Sequence, residues 1–112
     1  NVWFLDFLPE THPDRALHER QNKSAGATFS FEVKGGEEEA FRFLDALQLV
    51  RIAASLGGAE TLAHHPATTT HSGLPASDLA RLSITPGLIR ISIGVENPGD
   101  LIADLGQALS AI

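Results

Sequence analysis

Leu88-Ile89-Arg90-Ile91-Ser92-Ile93-Gly94-Val95 places a β-branched residue at every second position. Successive side chains of an extended strand point to opposite faces. Ile89, Ile91, Ile93 and Val95 therefore share one face, and Leu88, Arg90, Ser92 and Gly94 share the other. The alternation predicts a strand over 88–95 whose isoleucine face lies buried beneath helices. Arg90 then points away from that core.

On the C-terminal side, Asn97-Pro98 starts a final helix, since proline is favoured in a first helical turn. Leu101, Leu105, Ala108, Leu109 and Ile112 recur at helical spacing and are expected to form its buried stripe. On the N-terminal side, Ser72 to Leu82 contains a short helix with Pro75 near its start. Thr61 to His64 reads as a short strand stopped by Pro66, and Val50 to Ala54 as another, ended by Gly57-Gly58. Glu37 to Leu49 is an amphipathic helix: Ala40, Leu44 and Leu47 share a stripe, and Glu37, Glu38 and Glu39 suit the positive end of its dipole. Phe29, Phe31 and Val33 alternate with polar residues in a strand that Gly35-Gly36 ends. Asn22 to Ala27 is a loop, His12 to Gln21 a polar helix, and Val2 to Leu8 a short strand or entry segment. Strands and helices interleave, yet several connections look too short for parallel crossovers. The expected fold is α+β: a two-layer sandwich with a mostly antiparallel sheet of about four strands and helices on one face.

The 112 residues suit one domain, and 43% hydrophobic with 20% charged residues is the composition of an ordinary globular protein. No apolar run is long enough for a membrane helix and no signal-peptide pattern opens the chain, so no membrane partner is expected and cytoplasm is the default location. Without cysteine there is no disulfide, thiolate nucleophile or cysteine-ligated metal. A net charge of −6 argues against nucleic acid as a partner, because phosphate backbones need a clustered basic surface. The chain opens at Asn1 and contains no methionine, so it is expected to be a fragment of a longer protein.

Four features could carry chemistry. Arg90 is either a solvated strand arginine, the commoner fate, or an arginine lining a cleft with a fork suited to a carboxylate. Ser55-Leu56-Gly57-Gly58 permits a tight turn or close approach by a ligand, but lacks the strand-to-helix setting of a phosphate loop. His64, His65 and His71 with Thr68, Thr69 and Thr70 form the densest polar cluster. Their spacing matches no usual zinc pattern, so hydrogen-bonding histidines are the expectation and no metal site is assigned. Ser55, His71 and Asp104 could be written as a hydrolase triad, yet no nucleophile elbow supports it.

Taken together, three ordered segments resemble one family. They are Ser55-Leu56-Gly57-Gly58-Ala59-Glu60-Thr61-Leu62, His65-Pro66-Ala67-Thr68-Thr69-Thr70-His71, and Leu88-Ile89-Arg90-Ile91-Ser92-Ile93-Gly94-Val95-Glu96. They are similar to the C-terminal motifs of the pyridoxal-phosphate (PLP) enzymes of cysteine and methionine metabolism. That family includes cystathionine γ-synthase, cystathionine lyases, methionine γ-lyase and homoserine-ester sulfhydrylases. Asp100 to Leu105, Phe29 to Gly36 and His12 to Gln21 are similar to further parts of the same domain.

The resemblance implies that residues 1–112 are the C-terminal, substrate-side domain of a PLP-dependent lyase or transferase of fold type I. It implies that Arg90 holds the substrate α-carboxylate. Ser55 would place its main chain near the same carboxylate and steer the cofactor lysine with its hydroxyl, while Thr70 would orient Arg90. The two lysines, Lys23 and Lys34, do not lie in the family's Ser-x-Thr-Lys segment. No residue of this chain is therefore expected to bind the cofactor covalently, and the chain alone is expected to be inactive. The implied partners are a small amino-acid substrate, the PLP-binding large domain and, in the parent, further subunits of a homotetramer. A binding or assembly module that reused this domain without catalysis is the alternative.

Overall fold

The computed structural model describes all residues from Asn1 to Ile112. In chain order they form β1 (Val2–Trp3), α1 (Arg15–Gln21), β2 (Thr28–Glu32), α2 (Glu37–Ala46), β3 (Arg51–Ile52), β4 (Leu62–His64), α3 (Ala76–Arg81), β5 (Leu88–Ser92) and α4 (Pro98–Leu109). Single 3-10 turns occupy Leu5–Phe7 and Pro66–Thr68. The strands make one open sheet in the order β1-β2-β5-β4-β3. Three pairings are antiparallel, and β3 with β4 is parallel.

β5 lies at the centre, paired with β2 on one side and β4 on the other. Phe29 is opposite Ile91 and Phe31 opposite Ile89, while Ala63 meets Ile91 from the other strand. Ile89 and Ile91 are fully buried in a core shared with Ala40, Phe43 and Leu44 of α2 and Leu101 and Ala108 of α4. The alternating isoleucines thus define the helix-covered face, as their spacing predicts.

Several boundaries differ from the sequence reading, each for a physical reason. The sheet has five strands rather than about four, because Val2 and Trp3 pair with Phe31 and Ser30. The segment over 2–8 is a strand only at those two residues. One pairing is parallel despite a short connection. The 53–61 loop needs no helix to join strands this short, and instead rises over the sheet face. β5 ends at Ser92 rather than Val95. The chain passes so close to Ala59 and Glu60 at Gly94 that a Cβ there would collide with the Ala59 carbonyl. Val95 is consequently 84% exposed, and Ile93 is only partly buried.

Helix α2 stops at Ala46, short of Leu49. The main-chain N–H groups of Gln48, Leu49 and Val50 donate to the carboxylate of Asp104 at 2.8, 2.9 and 2.9 Å. Asp104 thereby takes an inward position on α4 between Leu101 and Ala108. The stripe expected for α4 is corrected accordingly: Leu109 and Ile112 are exposed and Leu105 is partly buried.

Candidate functional site

The sheet face opposite α2 and α4 carries the polar residues. Cross-strand partners share a face, so the pairings of Trp3 with Ser30, Ser30 with Arg90, and Arg90 with His64 draw one row across four strands. Ser92 lies one step further along β5, opposite Thr28 and Leu62.

The loop after β3 folds back onto this face. Arg90 Nη2 donates to the carbonyls of Ala54 at 2.9 Å and Ser55 at 3.0 Å. The Gly57 N–H donates to Ser92 Oγ at 2.9 Å, so a buried hydroxyl holds the same loop one step along. Gly57 has φ of 75°, a left-handed conformation that costs a residue with a side chain far more than glycine. A second clasp follows. Thr61 donates its main-chain N–H and its hydroxyl to the Glu96 carboxylate at 2.6 and 2.7 Å, and accepts from the Gly94 N–H at 2.8 Å. The Thr61 hydrogen bonds hold the Glu96 carboxyl below the usual carboxylate range.

Arg90 is thus a cation fixed by its far end. Its Nη2 is anchored to two carbonyls, whereas its Nε is buried without any protein acceptor. A guanidinium held this way, beside exposed loop residues, can receive an anion with little reorganisation.

His64 stands next to Arg90 on β4, and its ring is buried. Its tautomer follows from its partners. Thr69 donates its only hydroxyl proton to the His65 carbonyl at 2.7 Å. At 2.7 Å from His64 Nδ1, that hydroxyl can only accept, so the His64 proton sits on Nδ1. Nε2 is left as a bare lone pair, buried and without a partner. Burial, then the nearby Arg90, His71 and His65, push the His64 pKa down to about 4, which keeps the ring neutral. His65 serves the structure instead, since its Nε2 donates to the Pro86 carbonyl at 2.8 Å and its Nδ1 accepts from Thr68 at 2.9 Å.

Of the residues singled out in the sequence, Arg90 and the main chain of Ser55 meet directly. The Ser55 side chain is exposed. Thr70 is exposed and its hydroxyl lies 2.8 Å from His71 Nδ1, and it is the loop carbonyls, not Thr70, that bond to Arg90. Ser55, His71 and Asp104 do not assemble into a triad, because the Asp104 carboxylate is committed to Gln48, Leu49 and Val50 beneath α4. Sequence reading missed the pairing of His64 with Arg90. Its signal lies in the register of two distant strands rather than in any local motif.

Comparison with known proteins points to one family. A family model described as Cys/Met metabolism PLP-dependent enzyme matches residues 7–110. The O-succinylhomoserine sulfhydrylase of Pseudomonas aeruginosa is 44% identical over 102 residues, covering 91% of this chain and 25% of that protein. The L-methionine gamma-lyase of Pseudomonas deceptionensis is 47% identical over 100 residues, covering 89% and 25%. Among solved structures, cystathionine gamma synthase from Xanthomonas oryzae pv. oryzae, in complex with cystathionine, superposes with a TM-score of 0.88. That match has 44% identity and covers 99% of this chain and 28% of the other. The chain belongs to the Cys/Met metabolism PLP-dependent enzyme family. It spans about a quarter of the length of the curated relatives it matches.

The residues present would suit the substrate of a PLP enzyme rather than the cofactor. Arg90 offers a fixed cation for a carboxylate. The cofactor's own needs are not met here: Lys23 follows α1, Lys34 follows β2, and both are exposed away from the row that carries Arg90.

Proposed function

We propose that this chain is the C-terminal, substrate-side domain of a PLP-dependent lyase or transferase acting on sulfur-containing amino acids or homoserine esters. The observation that carries the reading is the fixed guanidinium of Arg90, anchored at Nη2 on the carbonyls of Ala54 and Ser55. In this reading Arg90 binds the substrate α-carboxylate through charge-assisted hydrogen bonds. The Ser55 main chain borders the same carboxylate and its exposed hydroxyl steers the cofactor lysine. Thr70 borders the site from the turn that follows His64. Family membership and the quarter-length coverage support placing the PLP-binding large domain in the rest of the protein.

PLP, when bound, supplies an electron sink for the carbanion formed at the substrate Cα. This chain's contribution is to bind and orient. By holding the carboxylate on a rigid strand, Arg90 fixes the substrate's rotation so that the Cα–H faces a base. The layered arrangement serves this, since α2 and α4 cover the sheet from behind while the 54–57 loop holds the Arg90 guanidinium on the opposite face. The parent is read as a cytoplasmic homotetramer, and no helix of this chain is long and apolar enough to cross a membrane.

The test is a substrate panel of cystathionine, methionine and acylated homoserines offered to the complete protein. γ-Elimination or γ-replacement on at least one of them is expected. A complete protein that binds PLP yet turns over none of them would contradict the reading.

A further inference from the structure

Two complementary orphans stand side by side in the sheet. Arg90 Nε carries a proton and has no acceptor, while His64 Nε2 carries a lone pair and has no donor. Both atoms are buried, and their residues are direct cross-strand partners on adjacent strands. Buried polar atoms are rarely left unpaired, because each loses its hydration without replacement. The surroundings also fix the polarity of the pair. Thr69 accepts from Nδ1 because its own proton is spent on the His65 carbonyl, so Nε2 is the acceptor that an arginine N–H needs.

We infer that His64 is a positioning residue for Arg90: its Nε2 lone pair takes up the Arg90 Nε–H, directly or through one bridging water, when a carboxylate occupies the guanidinium. The guanidinium is then held at both ends, at Nη2 by the Ala54 and Ser55 carbonyls and at Nε by His64. Nη1 is left free of protein partners to face the anion. Neutrality of the imidazole is essential, because a protonated ring would repel the guanidinium and present a donor to a donor. The chain Thr69–His64–Arg90 thus relays the shape of the threonine turn to the carboxylate site. It acts by orientation, without proton transfer to substrate.

This inference rests on Arg90 being the carboxylate anchor, so the experiment separates the two. Steady-state kinetics are measured on the complete protein, with whichever of methionine, cystathionine or O-acetylhomoserine it turns over fastest. Arg90→Ala serves as the reference. His64→Leu, which keeps bulk and removes the lone pair, is expected to raise KM by about 10- to 150-fold, the size of one charge-assisted hydrogen bond, with kcat changed by less than about 2-fold. His64→Gln places an amide oxygen where Nε2 was and is expected to stay within about 3-fold of wild type. Thr69→Val frees the tautomer and is expected to raise KM by about 3-fold or more. If Arg90→Ala raises KM but His64→Leu does not, or if His64→Gln is as impaired as His64→Leu, the inference is wrong and the Arg90 reading stands. If Arg90→Ala leaves KM unchanged, both fall. Should His64→Leu fail to fold, Thr69→Val decides, and an unchanged KM there overturns the proposal.

Discussion

Arg90 donates through Nη2 to the main-chain carbonyl of Ser55 at 3.0 Å, so a loop carbonyl sets where the Nη2 end of the guanidinium points. The loop's own geometry therefore matters to the cation. Gly57 holds it with φ of 75° and an N–H to Ser92 Oγ. Placing alanine at position 57 forces a side chain into the left-handed region at a cost of about 1–2 kcal/mol. Gly57→Ala in the complete protein is expected to lower the melting temperature and to raise KM more than it lowers kcat. A variant as stable and as tight for substrate as wild type would show that the loop does not set the guanidinium.

The sheet's helix-covered face makes a second prediction. Ile91 is fully buried in the core to which both α2 and α4 contribute. Ile91→Ala should destabilise by about 2–5 kcal/mol, the range for core truncations that leave a cavity. Chemical denaturation measures it. A loss under about 0.5 kcal/mol would mean that Ile91 does not sit in this core.

Asp104 ties α4 to the chain that follows α2. Burial pushes its carboxyl up, but the Val50, Gln48 and Leu49 N–H groups and the Gln107 amide together hold it below its ordinary value of 3.8. A carboxylate with a depressed folded-state pKa adds stability above its unfolded value and loses it as pH falls through the folded one. Asp104→Ala strands those N–H groups and is expected to cost about 1–3 kcal/mol at neutral pH. Its destabilisation relative to wild type should shrink below about pH 4. A deficit that stayed constant down to about pH 2 would place the stabilising carboxylate elsewhere.

His64 gives an acid sensitivity at higher pH. An unfolded histidine titrates near 6.5, whereas the folded one is held to about 4. Between those values the unfolded state binds the proton and the folded state does not. The stability from a neutral His64 is therefore complete above about pH 6.5 and is lost as pH falls toward about 4. The denaturation midpoint of wild type, relative to that of His64→Leu, should fall as pH is lowered from about 7.5 to about 4.5. Parallel profiles would rule out a neutral buried His64.

What the sequence made legible was local and periodic. The alternation from Leu88 to Ser92, the helix opened by Asn97-Pro98 and the glutamate-led helix from Glu37 are all present near their expected places, because each is a repeat within a few residues. The parallel pairing of Arg51–Ile52 with Leu62–His64 was not legible, since strands of two or three residues carry no period. Nor was the inward placement of Asp104, a residue that polarity alone puts on a helix surface. The site divides the same way. That Arg90 leaves the core is legible from its strand, whereas the roles proposed for Arg90 and Ser55 come from the family resemblance. The row that sets His64 against Arg90 depends on the register of distant strands, which no local stretch encodes.

Arg90→Ala in the complete protein tests the central claim most directly. The substitution removes the anchor for the substrate carboxylate but touches neither the cofactor's lysine nor its phosphate site, which lie in the other domain on this reading. The predicted result is a fall in kcat/KM worth about 2–5 kcal/mol, with the absorbance of bound PLP unchanged and Arg90→Lys recovering only part of the loss, because an ammonium cannot hold the loop carbonyls and the anion at once as the planar guanidinium does. Unchanged turnover of amino-acid substrates by Arg90→Ala would contradict it.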